Sequence, residues 1–249
     1  MTKAFSPCLL RTEGLTRRFG GLLAVSDLSM DIHAHEILGL IGPNGAGKST
    51  TFNLLSGFHK PTSGRLYFDD LDITGWSPDR ISRLGLVRTF QHGSLMRGMT
   101  VRDNLRVGAI GALPKGRGEA RQERVLEAAA LLRLTPHLDE RAGNLPHGLQ
   151  RLVSIGIAFA MKPRVLCLDE PLTGLNQSEV AGILDLFRSI RDELGSTILL
   201  VEHNMKAVMQ VCDRIVVLHH GQKLATGTPA EIGRNDAVIA AYLGKRHAA

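Results

Sequence analysis

Gly42-Pro43-Asn44-Gly45-Ala46-Gly47-Lys48-Ser49-Thr50 decides the fold. The stretch fits G-x-x-x-x-G-K-[ST], a loop that cradles phosphate groups (the P-loop). Its flanks fit the same reading. Glu36 to Ile41 (EILGLI) reads as a short apolar strand, and Ser49 to Leu55 as the first turns of a helix that Gly57 stops. Glycines let the backbone wrap closely, so successive N–H groups point inward as an anion-binding nest. The helix N-terminus adds partial positive charge. Asn44, Gly45, Ala46, Gly47, Lys48, Ser49 and Thr50 are therefore the expected nucleotide contacts. Lys48 would reach the β/γ-phosphates, and the Ser49 hydroxyl would ligate Mg²⁺. The bland alternative is a glycine-rich turn before a helix, and the strand-loop-helix context argues against it.

The 249 residues suffice for one large domain or two small ones, and a hydrophobic content of 43% supports a packed core. Cys8, Cys167 and Cys212 form no C-x-x-C pair and no even-numbered disulfide framework, so a reducing compartment is expected. No H-E-x-x-H occurs among the histidines, and no zinc site is expected. No apolar run approaches the ~20 residues that span a bilayer. The start, MTKAFSPCLL, is too short and interrupted for a secretory segment, so neither signal peptide nor membrane span is expected. The formal charge of +6 fits a mild attraction to an anionic membrane face or a plain solvated surface. Its basic residues are scattered without aromatic interleaving, so no nucleic-acid partner is expected.

Along the chain, Leu9 to Arg17 and Leu22 to His33 read as antiparallel edge strands around Arg17-Arg18-Phe19-Gly20-Gly21. A Phe in such a turn either stacks on a base or packs in the core. Arg65 to Asp69 reads as a strand. Ser77-Pro78 starts a short helix ending before Gly85, and Leu86 to Phe90 is a strand running into Gln91. Thr100 to Asp103 resembles a capping box, and Gly108 to Gly118 reads as a loop. Glu119 to Leu134 reads as a helix with Val125, Leu126, Ala129 and Leu132 inward, and Asn144 to Met161 as another helix beginning at Pro146. Residues 92–160 are thus a helical insertion in a βα-alternating chain. Arg164 to Glu170 is a central parallel strand whose Asp169-Glu170 end should lie beside the P-loop. Asp-Glu at a strand end is also common as a mere turn. With a P-loop upstream, it reads as a Mg²⁺-organising carboxylate followed by a water-activating one. Ser178 to Leu194 is a helix, and Thr197 to Val201 a strand ending in Glu202-His203. Arg214 to His219 and Gln222 to Thr226 form a hairpin, and Thr228 to Glu231 is a full capping box.

This order of elements resembles the ATP-binding cassette family over essentially the whole chain, and within it the ATPase subunits of branched-chain (hydrophobic) amino acid importers. Leu84-Gly85-Leu86-Val87-Arg88-Thr89-Phe90-Gln91, Gly174-Leu175-Asn176, Val201-Glu202-His203-Asn204-Met205 and Gly227-Thr228-Pro229-Ala230-Glu231-Ile232 carry the likeness. The resemblance implies an α/β fold: a P-loop NTPase (RecA-like) core with an antiparallel β edge subdomain and a helical subdomain insertion. It implies a first core part at 1–91, the insertion at 92–160, a second core part at 161–227 and a C-terminal helix and tail at 228–249. Phe19 would stack on adenine, and Gln91 would sense Mg²⁺ and water and link to the membrane subunits. Asp169 would hold Mg²⁺, Glu170 would polarise the attacking water, and His203 would meet the γ-phosphate beside Lys48. The implied cofactors are ATP and Mg²⁺. The implied partners are a second ATPase subunit, two membrane permeases and, indirectly, an extracytoplasmic solute-binding protein, with this chain on the cytoplasmic side of the membrane.

One motif departs from the family pattern. The L-S-G-G-Q signature, which closes over the partner's ATP in a head-to-tail dimer, falls at Leu145-Pro146-His147-Gly148-Leu149. Pro146 removes the serine hydroxyl and Leu149 replaces the glutamine, although Gln150 and Arg151 follow. The arginine usual further along this helix falls at Ile157. Gly148 still offers a backbone N–H at a helix N-terminus. The expectation is an asymmetric pair, in which the site closed by this chain's signature is the weaker. Two other readings stand beside the importer motor: a soluble cassette acting on nucleic acid or ribosomes, and a nucleotide-binding switch with negligible turnover.

Overall fold

The structure, a computed structural model, describes residues 7–89, 95–113 and 116–243. Strands β1 (Cys8–Phe19) and β2 (Leu22–His33) pair antiparallel. Strand β3 (Ile37–Ile41) leads through the phosphate loop into helix α1 (Lys48–Leu55). With β4 (Ser63–Phe68) and β5 (Leu71–Asp72), the first two strands make an antiparallel sheet of order β2-β1-β4-β5. There follow α2 (Pro78–Arg83), β6 (Leu86–Arg88), then three helices α3 (Val101–Ala112), α4 (Gly118–Leu131) and α5 (His147–Phe159). The chain returns as β7 (Val165–Asp169), α6 (Gln177–Asp192), β8 (Thr197–Val201) and α7 (Met205–Val211). It closes with β9 (Arg214–His219), β10 (Gln222–Gly227), α8 (Pro229–Gly233) and α9 (Asp236–Leu243). No helix among the described residues is long and apolar enough to cross a membrane.

The second sheet has the order β10-β9-β3-β8-β7-β6, parallel throughout except for the β9–β10 hairpin at its edge. Its central strands are buried on both faces, which is why they read as unbroken apolar runs. Alternation sorts their side chains into two cores. Ile37, Ile41, Leu166, Leu168, Ile198 and Leu200 face the core shared with α3 to α7. Leu38, Leu40, Val165, Cys167, Leu199 and Val201 face the core shared with α1 and the antiparallel sheet. Burial pushes the Cys167 thiol up to about 12, so it behaves as an inert packing group.

Three local expectations change. Gly108 to Ala112 are not loop but the last turns of α3. A β-carbon at Gly108 would overlap the Ile157 carbonyl, so this glycine lets α3 approach α5 closely. A glycine read from sequence as a breaker is here a helix-crossing contact. On α4, Leu126 is exposed and Ala128 is buried in its place, giving Val125, Ala128, Ala129 and Leu132 at i, i+3, i+4 and i+7. Helix α5 starts at His147, with Pro146 outside it as the N-cap. The capping signals form. Thr100 accepts from the Asp103 N–H, and Thr228 with Glu231 makes a reciprocal box. A second box, Asn176 with Glu179, starts α6.

Candidate nucleotide site

Strands β3, β8 and β7 are neighbours and parallel, so their carboxyl ends open on one edge of the sheet. Register makes this sharper: Leu40 pairs with Val201, and Val201 with Asp169. The phosphate loop, Asp169-Glu170 and Glu202-His203 must therefore emerge side by side. This is the crevice where open α/β sheets bind ligands.

The phosphate loop is built from backbone. Gly47, at φ 99°, is the N-cap of α1. A β-carbon there would come within 2.6 Å of the Ala24 carbonyl, so only glycine lets β2 lie against the loop. Asn44, Gly45 and Ser49 are exposed, Ala46 is buried, and Gly47 and Thr50 are half-buried. The Lys48 ammonium lies over its own loop, donating to the carbonyls of Gly42 at 2.6 Å and Pro43 at 3.1 Å. Burial pulls Lys48 below its usual range, while the charges of Glu170 and Asp169 favour its protonated form.

Alternation places Arg88 and Asp169 on the α1 side of the sheet. One Arg88 nitrogen donates to Asn53 Oδ1 at 2.6 Å and Ser56 Oγ at 3.0 Å, and the other lies 3.6 Å from Asp169 Oδ2. The Arg88 guanidinium also stacks on Phe52 and Phe58, at 4.6 and 5.0 Å. Burial pushes the Asp169 carboxyl above the usual carboxylate range, and Arg88 opposes that. Asp169 Oδ1 is buried without a hydrogen-bond partner among the described residues.

Glu170 turns out of the strand at φ 46°, a left-handed conformation that a non-glycine residue adopts at a cost. The Glu170 N–H donates to the Val201 carbonyl at 2.8 Å, and its Oε1 lies 3.7 Å from His203 Nδ1. Behind them sits Glu202, 1% exposed. Its Oε1 accepts from the Leu172 N–H at 2.8 Å, and its Oε2 from the N–H groups of His203 at 3.1 Å and Asn204 at 3.3 Å. Arg151 of α5 donates to the Glu170 carbonyl at 3.1 Å. Sequence reasoning missed the parts played by Arg88, Arg151 and Glu202. For Arg88 and Glu202 the available signal was a charged residue within, or at the end of, an otherwise apolar strand; Arg151, on helix α5, carried no such signal.

Phe19 lies at the tip of the β1–β2 hairpin, paired with Leu22, and β2 passes the phosphate loop at Ala24. It is 38% exposed, with the His59 ring edge-on at 5.2 Å and the Arg17 guanidinium 4.5 Å from its centroid. Gln91 lies outside the described residues. In the altered signature, the His147 ring rests on Gly174 and Gly148 packs on the Glu179 carboxylate. Pro146, Gly148 and Leu149 line a groove of about 310 Å³ against Glu179, Gly182 and Ile183 of α6. The signature thus packs against α6 and the turn before it on its own chain.

A glycine-rich loop, a buried carboxylate and a carboxylate-histidine pair at one sheet edge are the arrangement of a nucleoside triphosphatase. Residues 25–173 match the family model for the ABC transporter, and the chain belongs to that family as an ATP-binding, ATP-hydrolysing cassette. Residues 222–248 match the model for the branched-chain amino acid ATP-binding cassette transporter. The chain is 44% identical over 250 aligned residues to the high-affinity branched-chain amino acid transport ATP-binding protein LivG of Escherichia coli K12, covering 95% of this chain and 98% of LivG. It is 42% identical, with the same coverage, to BraF of Pseudomonas aeruginosa, which carries the same description. A solved ATP-binding cassette of an ABC transporter in its ADP conformation superposes with a TM-score of 0.88 at 30% identity, covering 96% of this chain and 100% of that one.

Proposed function

We propose that this chain is the ATP-hydrolysing subunit of an importer for branched-chain or other hydrophobic amino acids, or related small carboxylates or amides. The observation that carries the hydrolytic part is the convergence of Lys48, Asp169, Glu170 and His203 at one sheet edge. The cargo rests on what LivG and BraF are described as transporting. In this reading Lys48 leaves its loop carbonyls to meet the β/γ-phosphates, and Phe19 offers its exposed ring to the base. Glu170 orients and deprotonates the attacking water, and His203 bridges Glu170 and the γ-phosphate. Such a reaction is driven by positioning and charge neutralisation. The Ser49 hydroxyl and the unpartnered Asp169 Oδ1 are oxygen donors of the kind a hard cation takes. A Mg²⁺ ion held there would neutralise charge on the phosphates.

The proposed assembly pairs this chain with a second cassette and two permeases on the cytoplasmic face of the membrane, and a solute-binding protein delivers cargo from outside. Pro146 offers no hydroxyl to the partner's nucleotide, so the site closed by this signature is the weaker one. The deciding experiment compares ATP hydrolysis by wild type and Glu170→Gln. Loss of about 100-fold or more with ATP binding retained is expected for a positioned general base. Undetectable turnover in both, with ATP binding retained, would leave a nucleotide switch. Uptake of labelled leucine by cells with and without this chain tests the cargo.

A further inference from the structure

We propose that Arg151 and Glu202 are positioning residues that lock Glu170 and His203 to the signature helix of the same chain. The inference rests on the reading of Glu170 as the hydrolytic base. Three observations carry it.

Glu202 is fully buried and staples two loops: its Oε1 holds the N–H of Leu172, just past Glu170, and its Oε2 holds the N–H groups of His203 and Asn204 and lies 3.9 Å from His203 Nδ1. The two residues that must flank the γ-phosphate therefore share one rigid anchor. Arg151 stands on α5, whose first residues belong to the signature, and it reaches across to the Glu170 carbonyl. That carbonyl belongs to the residue held in a left-handed conformation, so the bond helps fix the angle at which the carboxylate leaves the strand. Arg151 is itself half-buried, and its Nε has no hydrogen-bond partner among the described residues. Burial pulls the Arg151 guanidinium below its usual range, and the charges of Glu202, Glu170 and Asp169 oppose that.

Arg151 and Glu202 thus join three elements that are distant in sequence: the signature helix, the end of β7 and the end of β8. In the proposed dimer the signature contacts the partner's nucleotide. Movement of α5 on closure would then be transmitted through Arg151 to this chain's own Glu170, linking the two sites.

The test uses the full-length chain and reads kcat for ATP hydrolysis, the Kd for ATP and amide hydrogen exchange. Arg151→Met is expected to lower kcat about 10- to 100-fold, the scale of an ångström-sized misplacement, with the Kd for ATP unchanged. Arg151→Lys keeps a cationic donor that can reach toward the Glu170 carbonyl and should recover part of kcat. Glu202→Gln keeps one acceptor and turns the other into a donor, so either the Leu172 amide or the His203 and Asn204 amides should exchange faster, and kcat should fall. The double variant Arg151→Met/Glu202→Gln should lose less than the product of the single losses, because both changes break one relay. Unchanged kcat in Arg151→Met, a parallel rise in Kd, or losses that multiply would overturn the relay. Should Arg151→Met fold poorly, exchange in Arg151→Lys is read instead: wild-type protection of the Glu170 and Leu172 amides with a lowered kcat would also overturn the relay. Glu170→Gln in the parent chain separates the two failures. If it hydrolyses ATP normally, the functional reading falls and the relay with it. If it is inactive while Arg151→Met is fully active, only the relay falls.

Discussion

The glycine-rich loop and the charged rim beside it are built in opposite ways. The loop is Gly42 to Thr50, one continuous run of backbone whose shape is set by glycine. The rim is Arg88, Arg151, Glu170, Glu202 and His203, side chains from β6, α5 and the ends of β7 and β8, held by bonds between distant residues. A run of backbone fails when a side chain intrudes. An assembled rim fails when one partner is removed and the remaining charge or N–H loses its match.

The largest effect should come from breaking the loop. Gly47→Ala forces a left-handed β-carbon against the Ala24 carbonyl. Strain of ~1–2 kcal/mol and overpacking of ~1–3 kcal/mol add to about 2–5 kcal/mol. Thermal melts should show the loss, and ATP binding should fall with it. An unchanged melt with normal ATP binding would mean that the loop and β2 can separate freely.

Removing one partner from the rim should cost less. Arg88→Met leaves the buried Asp169 carboxylate without its counter-charge. The pair is separated by 3.6 Å and not sealed from the crevice, so about 2 kcal/mol is expected, below the ~3–5 kcal/mol of a fully buried pair. Urea denaturation measures it, and Asp169→Asn in the same background should restore part of the loss. If Arg88→Met and the double change are equally unstable, the ion pair is not what matters there.

Phe19→Ala probes the edge of the loop region. Base stacking contributes ~1–3 kcal/mol, and Arg17 already occupies space over the ring, so a weakening near 1 kcal/mol, about fivefold, is expected in ATP binding. Phe19→Trp should retain affinity. Equal affinity in Phe19→Ala would remove Phe19 from the site.

The smallest effect concerns a motif that belongs to neither region. The Thr228 N–H and hydroxyl hold the Glu231 carboxyl below its usual 4.5. A depressed folded value means that the box contributes above about pH 4.5 and is lost as pH falls through that lower folded value. Acid melts of wild type should lose this contribution, and Glu231→Gln should flatten that part of the profile.

Legibility follows the same division. The loop, the strand ends and the caps at Thr100 and Thr228 were readable because each depends on neighbours within a few residues. Asp169 and Glu170 were readable only in combination with the loop. Gly108 was misread because its neighbour is the Ile157 carbonyl, nearly fifty residues away, and nothing local distinguishes a helix crossing from a break. Leu126 was misread because a one-residue rotation of a short helix leaves its apolar count unchanged.

The sequence by itself determined the cassette: a phosphate loop between strand and helix, carboxylates at the end of an apolar strand, and a histidine at the end of the next. Local backbone chemistry and alternation suffice for those. Only the tertiary structure decided that β3, β8 and β7 are adjacent and in register, that Glu202 staples two loops, and that Arg151 reaches Glu170. Those contacts depend on which strands pair and how α5 crosses them, which no short window of residues encodes.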